Sequence, residues 1–132
     1  MNIGQVSAAS GVSAKMIRHY EEIGLVRPPR RTASNYRTYS GNDVHVLRFI
    51  KRARSLGFPV TDIKALLALW QNTSRSSAAV RKIARAHIDD LRRKIAELGS
   101  MVQALEHLEH HCHGDERPEC PILEHLEGNL PA

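Results

Sequence analysis

The sequence is short of most features that mark secreted, membrane or catalytic proteins. Only 2 of its 132 residues are cysteine, too few for a disulfide framework. The opening Met1-Asn2-Ile3-Gly4-Gln5 has no basic stretch followed by an apolar one, so nothing reads as a leader. No run approaches the roughly 20 apolar residues that a membrane span needs. Aromatic residues make up 5% of the chain, so any core must be built largely from aliphatic side chains. No nucleophile–base spacing stands out, which makes an enzyme the least favoured class. These absences imply a cytoplasmic address. With 42% apolar and 25% charged residues, the chain suits one small core with an appended element.

What is present is unevenly placed. Residues 1–60 carry a net charge of +7 and residues 61–132 a net of −2. A basic front half suits a polyanion partner, through counterion release on phosphate binding. Five of the eight histidines fall between His107 and His125, around Cys112 and Cys120. That clustering points to metal.

Local signals predict a helical chain with one small hairpin. Asn2 caps a first helix carrying Ile3, Val6 and Ala9, which Ser10-Gly11 stops. Ser13 caps a second helix running to about Ile23, where Gly24 ends it. Met16, Ile17, Tyr20 and Ile23 form its buried stripe, leaving Lys15, Arg18, His19 and Glu22 facing out. Two short helices around a glycine-containing turn, the second basic near its start, make a helix-turn-helix signature. Pro28-Pro29 then forbids helix, Ser34-Asn35 is turn chemistry, and Tyr36-Arg37-Thr38-Tyr39 is strand-like. The expected product is a basic wing displaying Arg30, Arg31 and Arg37. Tyr39 reads as a packing residue, while Tyr36 is open between packing and a phosphate contact. Ser40 to Asp43 forms a capping box for a third helix with Val44, Leu47 and Ile50 inside. Ile63, Leu66, Leu67 and Trp70 mark a fourth, with Trp70 read as core.

From about Arg75 to Glu109 there is no proline. Ile88, Leu91, Ile95, Leu98, Val102 and Leu105 repeat at alternating spacings of 3 and 4 residues, a heptad seam. Such a helix would be about 52 Å long, too long to bury its seam on the residues before it. A second copy of the chain is the economical partner, giving a two-stranded coiled coil and a symmetric homodimer. The expected organisation is residues 1–72 as the DNA-binding domain, 75–109 as the dimerisation helix, and 110–132 as a loop and short helix. Gly114 and Pro118 keep the segment after His110 in a loop, and Pro121 suits a first helical position. Seven residues separate Cys112 from Cys120, enough to bring both sulfurs to one ion. Cys120, at the positive end of the terminal helix, would favour its thiolate. Two thiolates suit a soft monovalent d10 ion that accepts linear coordination. Zinc would need about four ligands, for which Cys112, Cys120, His113 and either another histidine or Asp115 are at hand. Whether His110, His111 and His113 act as ligands or as a solvated helix end is open at this level.

Several stretches carry a family resemblance. Met1-Asn2-Ile3-Gly4, Lys15-Met16-Ile17-Arg18-His19-Tyr20-Glu21-Glu22-Ile23-Gly24-Leu25, Asn35-Tyr36-Arg37-Thr38-Tyr39 and Arg52-Ala53-Arg54-Ser55-Leu56-Gly57-Phe58 resemble the DNA-binding domain of MerR-type regulators. The long helix followed by Cys112-x7-Cys120-Pro121-Ile122 is similar to the copper-responsive, CueR-like branch. The resemblance implies a mainly α, winged helix-turn-helix dimer with an antiparallel coiled coil and a short metal-binding loop. It implies promoter DNA and RNA polymerase as partners, with transcription activated by DNA distortion when Cu(I), or Ag(I) or Au(I), binds. Carried over by position, Lys15 and Arg18 would contact DNA from the recognition helix, with Tyr20 near the backbone. Arg31, Tyr36 and Arg37 would act from the first wing and Arg54 near the second. Cys112 and Cys120 would hold the metal, and Ser77 would face the partner's loop, where divalent sensors of the family carry cysteine. A zinc-type sensor and a copper carrier or storage protein are the competing readings. A thiol redox switch between Cys112 and Cys120 is a third.

Overall fold

Three helices of the front half start on side chains suited to capping them. In the computed structural model, which describes residues 1–116 and 118–128, α1 spans Ile3–Ser10 and begins at Asn2. The Asn2 side chain accepts from the Gln5 amide while the Gln5 side chain accepts from the Asn2 amide, a reciprocal box. Ser13 caps α2 (Ala14–Glu22) through the Met16 amide. Ser40 and Asp43 form the predicted box at the head of α3 (Gly41–Ser55). The C-terminal stops are equally local. After α2, Gly24 adopts φ +73°, its N–H donates to Glu21 O, and the Leu25 N–H donates to Tyr20 O. Gly57, at φ +81°, repeats that closure at the end of α3.

Between α2 and α3 lies a two-stranded antiparallel hairpin, β1 (Arg30–Arg31) and β2 (Arg37–Thr38), pairing Arg30 with Thr38 and Arg31 with Arg37. Asn35 takes the left-handed conformation at its tip, φ 66°. A further rung joins Met1 to the wing's exit, with Tyr39 N–H donating to Met1 O at 2.7 Å. α4 (Val60–Gln71) follows, then α5 (Ser77–His110) and α6 (Pro121–Leu126).

The chain divides into two units, Met1–Ala84 and Arg85–Ala132. In the first, Val6, Ile17, Leu47, Ile50 and Ile63 are the most deeply buried side chains, drawn from α1 to α4. Tyr20, Leu25 and Tyr39 complete this aliphatic core at its edge. Arg48 ties α3 to α1 by donating from Nε and Nη2 to Ala9 O, at 3.2 and 2.8 Å.

The reading of Trp70 as core is corrected here. Its side chain is 40% exposed and stacks on Phe49, centroids 4.7 Å apart and planes within 11°. The i+7 position lies at the end of α4, where the indole stacks on Phe49 at one flank of α3. The helical seam of α5 does form, and it is uncovered within one chain. Ile95, Leu98, Val102 and Leu105 are each more than half exposed. At 34 residues the helix is about 51 Å long. Among the described residues no helix is long and apolar enough to cross a membrane.

Candidate DNA-binding surface and thiol loop

The outward face of α2 is set by its amphipathic pattern. Because Ile17 and Tyr20 turn into the core, Lys15, Arg18, His19 and Glu22 are left exposed. The end of α3 brings Arg54 beside them. Lys15, Met16, Arg18, His19, Glu22 and Arg54 together line one open depression of about 480 Å³. The structure therefore unites three of the sequence-predicted contact residues, Lys15, Arg18 and Arg54, on a single basic surface. Cations on a helix of this kind can meet phosphates, and an arginine among them can also read guanine edges.

The wing adds a second basic element with two different kinds of arginine. Arg31 is exposed, with Nη1 donating to Asn35 O at 3.1 Å, and Tyr36 is 73% exposed at the tip. Both are free to face a ligand. Arg37 is not displayed as expected. Its Nη1 lies 3.2 Å from Glu21 Oε2, a carboxylate whose side chain is only 8% exposed. That nitrogen is buried without a well-directed hydrogen bond, so the link to Glu21 is a charge contact. The reason is the register: Arg31 and Arg37 are directly opposite each other, and like charges so placed repel. Glu21 neutralises one of them.

The same carboxylate accepts the Tyr39 hydroxyl through Oε1 at 2.7 Å. Burial first, and then Glu21, push the Tyr39 phenol up to about 12. Tyr39 is thus the packing residue its position predicted, at 7% exposure. Tyr20, given a place near the DNA backbone by resemblance, is 4% exposed and serves the core instead. Glu21 itself was missed from the sequence. It lies 16 positions from Arg37, and no local pattern marks the pair.

In the second unit, α5 ends at His110 and the Cys112 amide still donates to Glu109 O at 3.0 Å. Gly114 turns the loop at φ +64°, and Cys120 occupies the cap position of α6. The two sulfurs come within 3.9 Å of each other, each half-buried. The amides of Leu123 and then Ile122 pull the Cys120 thiol below its ordinary value, helped by Cys112. Among the described residues, no three His, Cys, Asp or Glu side chains come together around one point. The four-ligand set of Cys112, Cys120, His113 and Asp115 is therefore not assembled. Ser77 is exposed as the first residue of α5. Arg117 and residues 129–132, which belong to the terminal segment expected over 110–132, lie outside the described residues.

Comparison with known proteins agrees with this architecture along nearly the whole chain. The family described as "MerR HTH family regulatory protein" matches residues 1–70 and that described as "MerR, DNA binding" matches residues 44–108. The HTH-type transcriptional regulator HmrR of Sinorhizobium medicae is 60% identical over 126 residues, covering 96% of this chain and 86% of that protein. The HTH-type transcriptional regulator CueR of Vibrio cholerae is 43% identical over 129 residues, covering 98% and 93%. The solved structure of the transcription regulator PbrR691 from Ralstonia metallidurans, in complex with lead(II), superposes with a TM-score of 0.84. It is 30% identical and covers 96% of this chain and 98% of its own. All three are named for regulation of transcription and none for catalysis. With a family match over more than half its length and a 60% identical relative, this chain belongs to the MerR family of helix-turn-helix transcriptional regulators.

Proposed function

We propose that the protein binds promoter DNA as a homodimer and activates transcription when Cys112 and Cys120 take up a monovalent soft ion, Cu(I) or its congeners Ag(I) and Au(I). The observation that carries the metal reading is a sulfur pair 3.9 Å apart with no third ligand gathered beside it among the described residues. Distance alone fits more than one ion. Zinc–sulfur bonds of about 2.3 Å at a tetrahedral angle would set sulfurs about 3.8 Å apart. The number of ligands separates the readings. A d10 monovalent ion is content with two thiolates, whereas zinc is left about two ligands short. The hydrogen bonds that lower the Cys120 thiol favour the anion that metal binding needs.

Lys15, Arg18, Arg54, Arg31 and Tyr36 supply the DNA contacts in this reading, with Arg37 holding the wing in place. The uncovered seam of α5 supports the dimer, because one chain leaves Ile95, Leu98, Val102 and Leu105 in water. Ser77 would offer the partner's loop a hydroxyl, a poor ligand for a soft divalent ion. RNA polymerase is the partner that the activated complex would engage.

Transcription from the cognate promoter in vitro, with Cu(I), Ag(I) or Zn(II) added, tests the proposal. Activation by the monovalent ions and none by Zn(II) is the expected result. Cys112→Ser and Cys120→Ser should each remove the response while apo DNA binding persists. Robust activation by Zn(II) would favour a divalent sensor; the transcription regulator PbrR691, which shares this fold, was solved in complex with lead(II). Failure to retard promoter DNA at any salt concentration would favour a copper carrier. Activation by oxidant without metal would make the two thiols a redox switch.

A further inference from the structure

The last turn of α5 carries a pair of histidines that the thiol loop does not use. His107 and His111 are four positions apart, so they stack on one face of the helix. Both are exposed, and their ring centroids lie 4.5 Å apart with planes at 74°. Metal–nitrogen bonds of about 2.1 Å, with each centroid about 1.1 Å behind its nitrogen, place two imidazoles at right angles around one ion with centroids about 4.5 Å apart. Right-angled coordination belongs to octahedral and square-planar ions, and imidazole suits nickel and copper in their divalent states. The site also lies at the C-terminal end of a long helix, where the helix dipole and unpaired carbonyls favour positive charge.

We propose that His107 and His111 form a separate divalent-metal site, taking Ni(II) or Cu(II) with water in the remaining positions. His110 is not part of it. It neighbours His111 in sequence, and its ring lies 5.5 Å from that of His111, farther than the 4.5 Å of the His107–His111 pair. The site is independent of the thiol reading, since it uses no sulfur. It bears on the loop nonetheless. The His111 amide donates to His107 O at 3.3 Å, a long bond on the final turn, and Cys112 is the next residue. An ion bridging the two rings would fasten that turn and fix where the loop departs.

The test uses the full chain with Cys112→Ser and Cys120→Ser, which removes the competing sulfur site, and Ni(II) as the probe in calorimetry. One Ni(II) per chain is expected, with at least tenfold weaker binding on adding either His107→Gln or His111→Gln. His110→Gln should leave the affinity unchanged. Nickel-induced broadening of imidazole proton resonances should fall on His107 and His111. Circular dichroism checks that each variant keeps its helix, which is expected because all three histidines are exposed. The absence of Ni(II) binding in the thiol-free protein, or binding that survives loss of both His107 and His111, would overturn the proposal.

Discussion

Glu21, on the last turn of α2, holds Arg37 of β2 at 3.2 Å with one oxygen and accepts the Tyr39 hydroxyl at 2.7 Å with the other. A single carboxylate thus fastens the return strand of the wing to the helix whose outer face carries Lys15 and Arg18. If both elements meet the same DNA, their spacing is set by this contact. Arg37 is then a positioning residue, its charge already matched inside the protein.

That distinction can be read from salt dependence. Arg18→Ala and Arg31→Ala should each reduce the slope of log K against log salt by about 1, one phosphate apiece. Arg37→Ala should lower affinity by loosening the wing, with the slope little changed. Glu21→Gln should lower stability by roughly 1–3 kcal/mol, because it leaves a half-buried guanidinium without its counter-charge. Binding isotherms across a salt series, together with denaturant unfolding, separate these effects. A slope change of about 1 for Arg37→Ala would place its guanidinium on the DNA after all.

The Tyr39 phenol gives a pH signature of the same network. Its titration is raised in the folded protein from 10.0 to about 12, by burial first and by Glu21 next. The unfolded chain loses this proton first, so the stabilisation is fully present below pH 10. It is lost as pH rises from 10 to about 12. An ultraviolet titration should show one late phenolate step near 12, absent in Tyr39→Phe. Over that window the wild type should lose stability relative to the variant. A late step that persists in Tyr39→Phe would show that it does not belong to the Tyr39 phenol.

What was legible in the sequence follows the range of the interactions. The capping side chains Asn2, Ser13 and Ser40 act within three residues, and the helix-ending glycines Gly11 and Gly24 act on their own backbone, so local reading finds them. The wing was visible as proline, turn and strand chemistry, but the fate of its arginines was not. Which of Arg31 and Arg37 is displayed depends on a carboxylate from another element. Trp70 fails for the same reason: its helical spacing is right, yet only the packing of α4 on α3 decides how much of it is covered. The heptad seam was legible because its period is intrinsic. In the loop, the cysteine spacing was readable, while the absence of a gathered third ligand among the described residues and the His107–His111 pairing needed coordinates.

The seam makes assembly testable. Ile95 is 67% exposed in the single chain, so Ile95→Asp should leave the first unit folded. In a symmetric dimer both copies bear the change, and two carboxylates in an apolar interface should cost several kcal/mol. The dimer dissociation constant should therefore rise by 100-fold or more, about 2.7 kcal/mol or greater. Sedimentation velocity at micromolar concentration should show the variant as monomer. A stable Ile95→Asp dimer would mean that the helices pair by another face.

Ion selectivity turns on charge and ligand number together. Two thiolates around a monovalent ion leave a local charge of −1, while a divalent ion in the same place is neutral but lacks about two of its usual four ligands. In the proposed dimer, a hydroxyl from Ser77 of the second copy would add only oxygen, which a soft ion holds weakly. Ser77→Cys would add a third thiolate where the wild type has that hydroxyl, and cysteine is the residue that divalent sensors of the family are expected to carry there. In vitro transcription with the Ser77→Cys protein should therefore show activation by Zn(II) that the wild type lacks, with part of the Cu(I) response retained. DNA retardation without metal should be unaltered, because Ser77 lies outside the basic surface of Lys15, Arg18 and Arg54. A variant that remains blind to Zn(II) while binding it at the loop would show that ligand number governs occupancy but not activation. Ser77 would then lose its assignment as the selectivity residue.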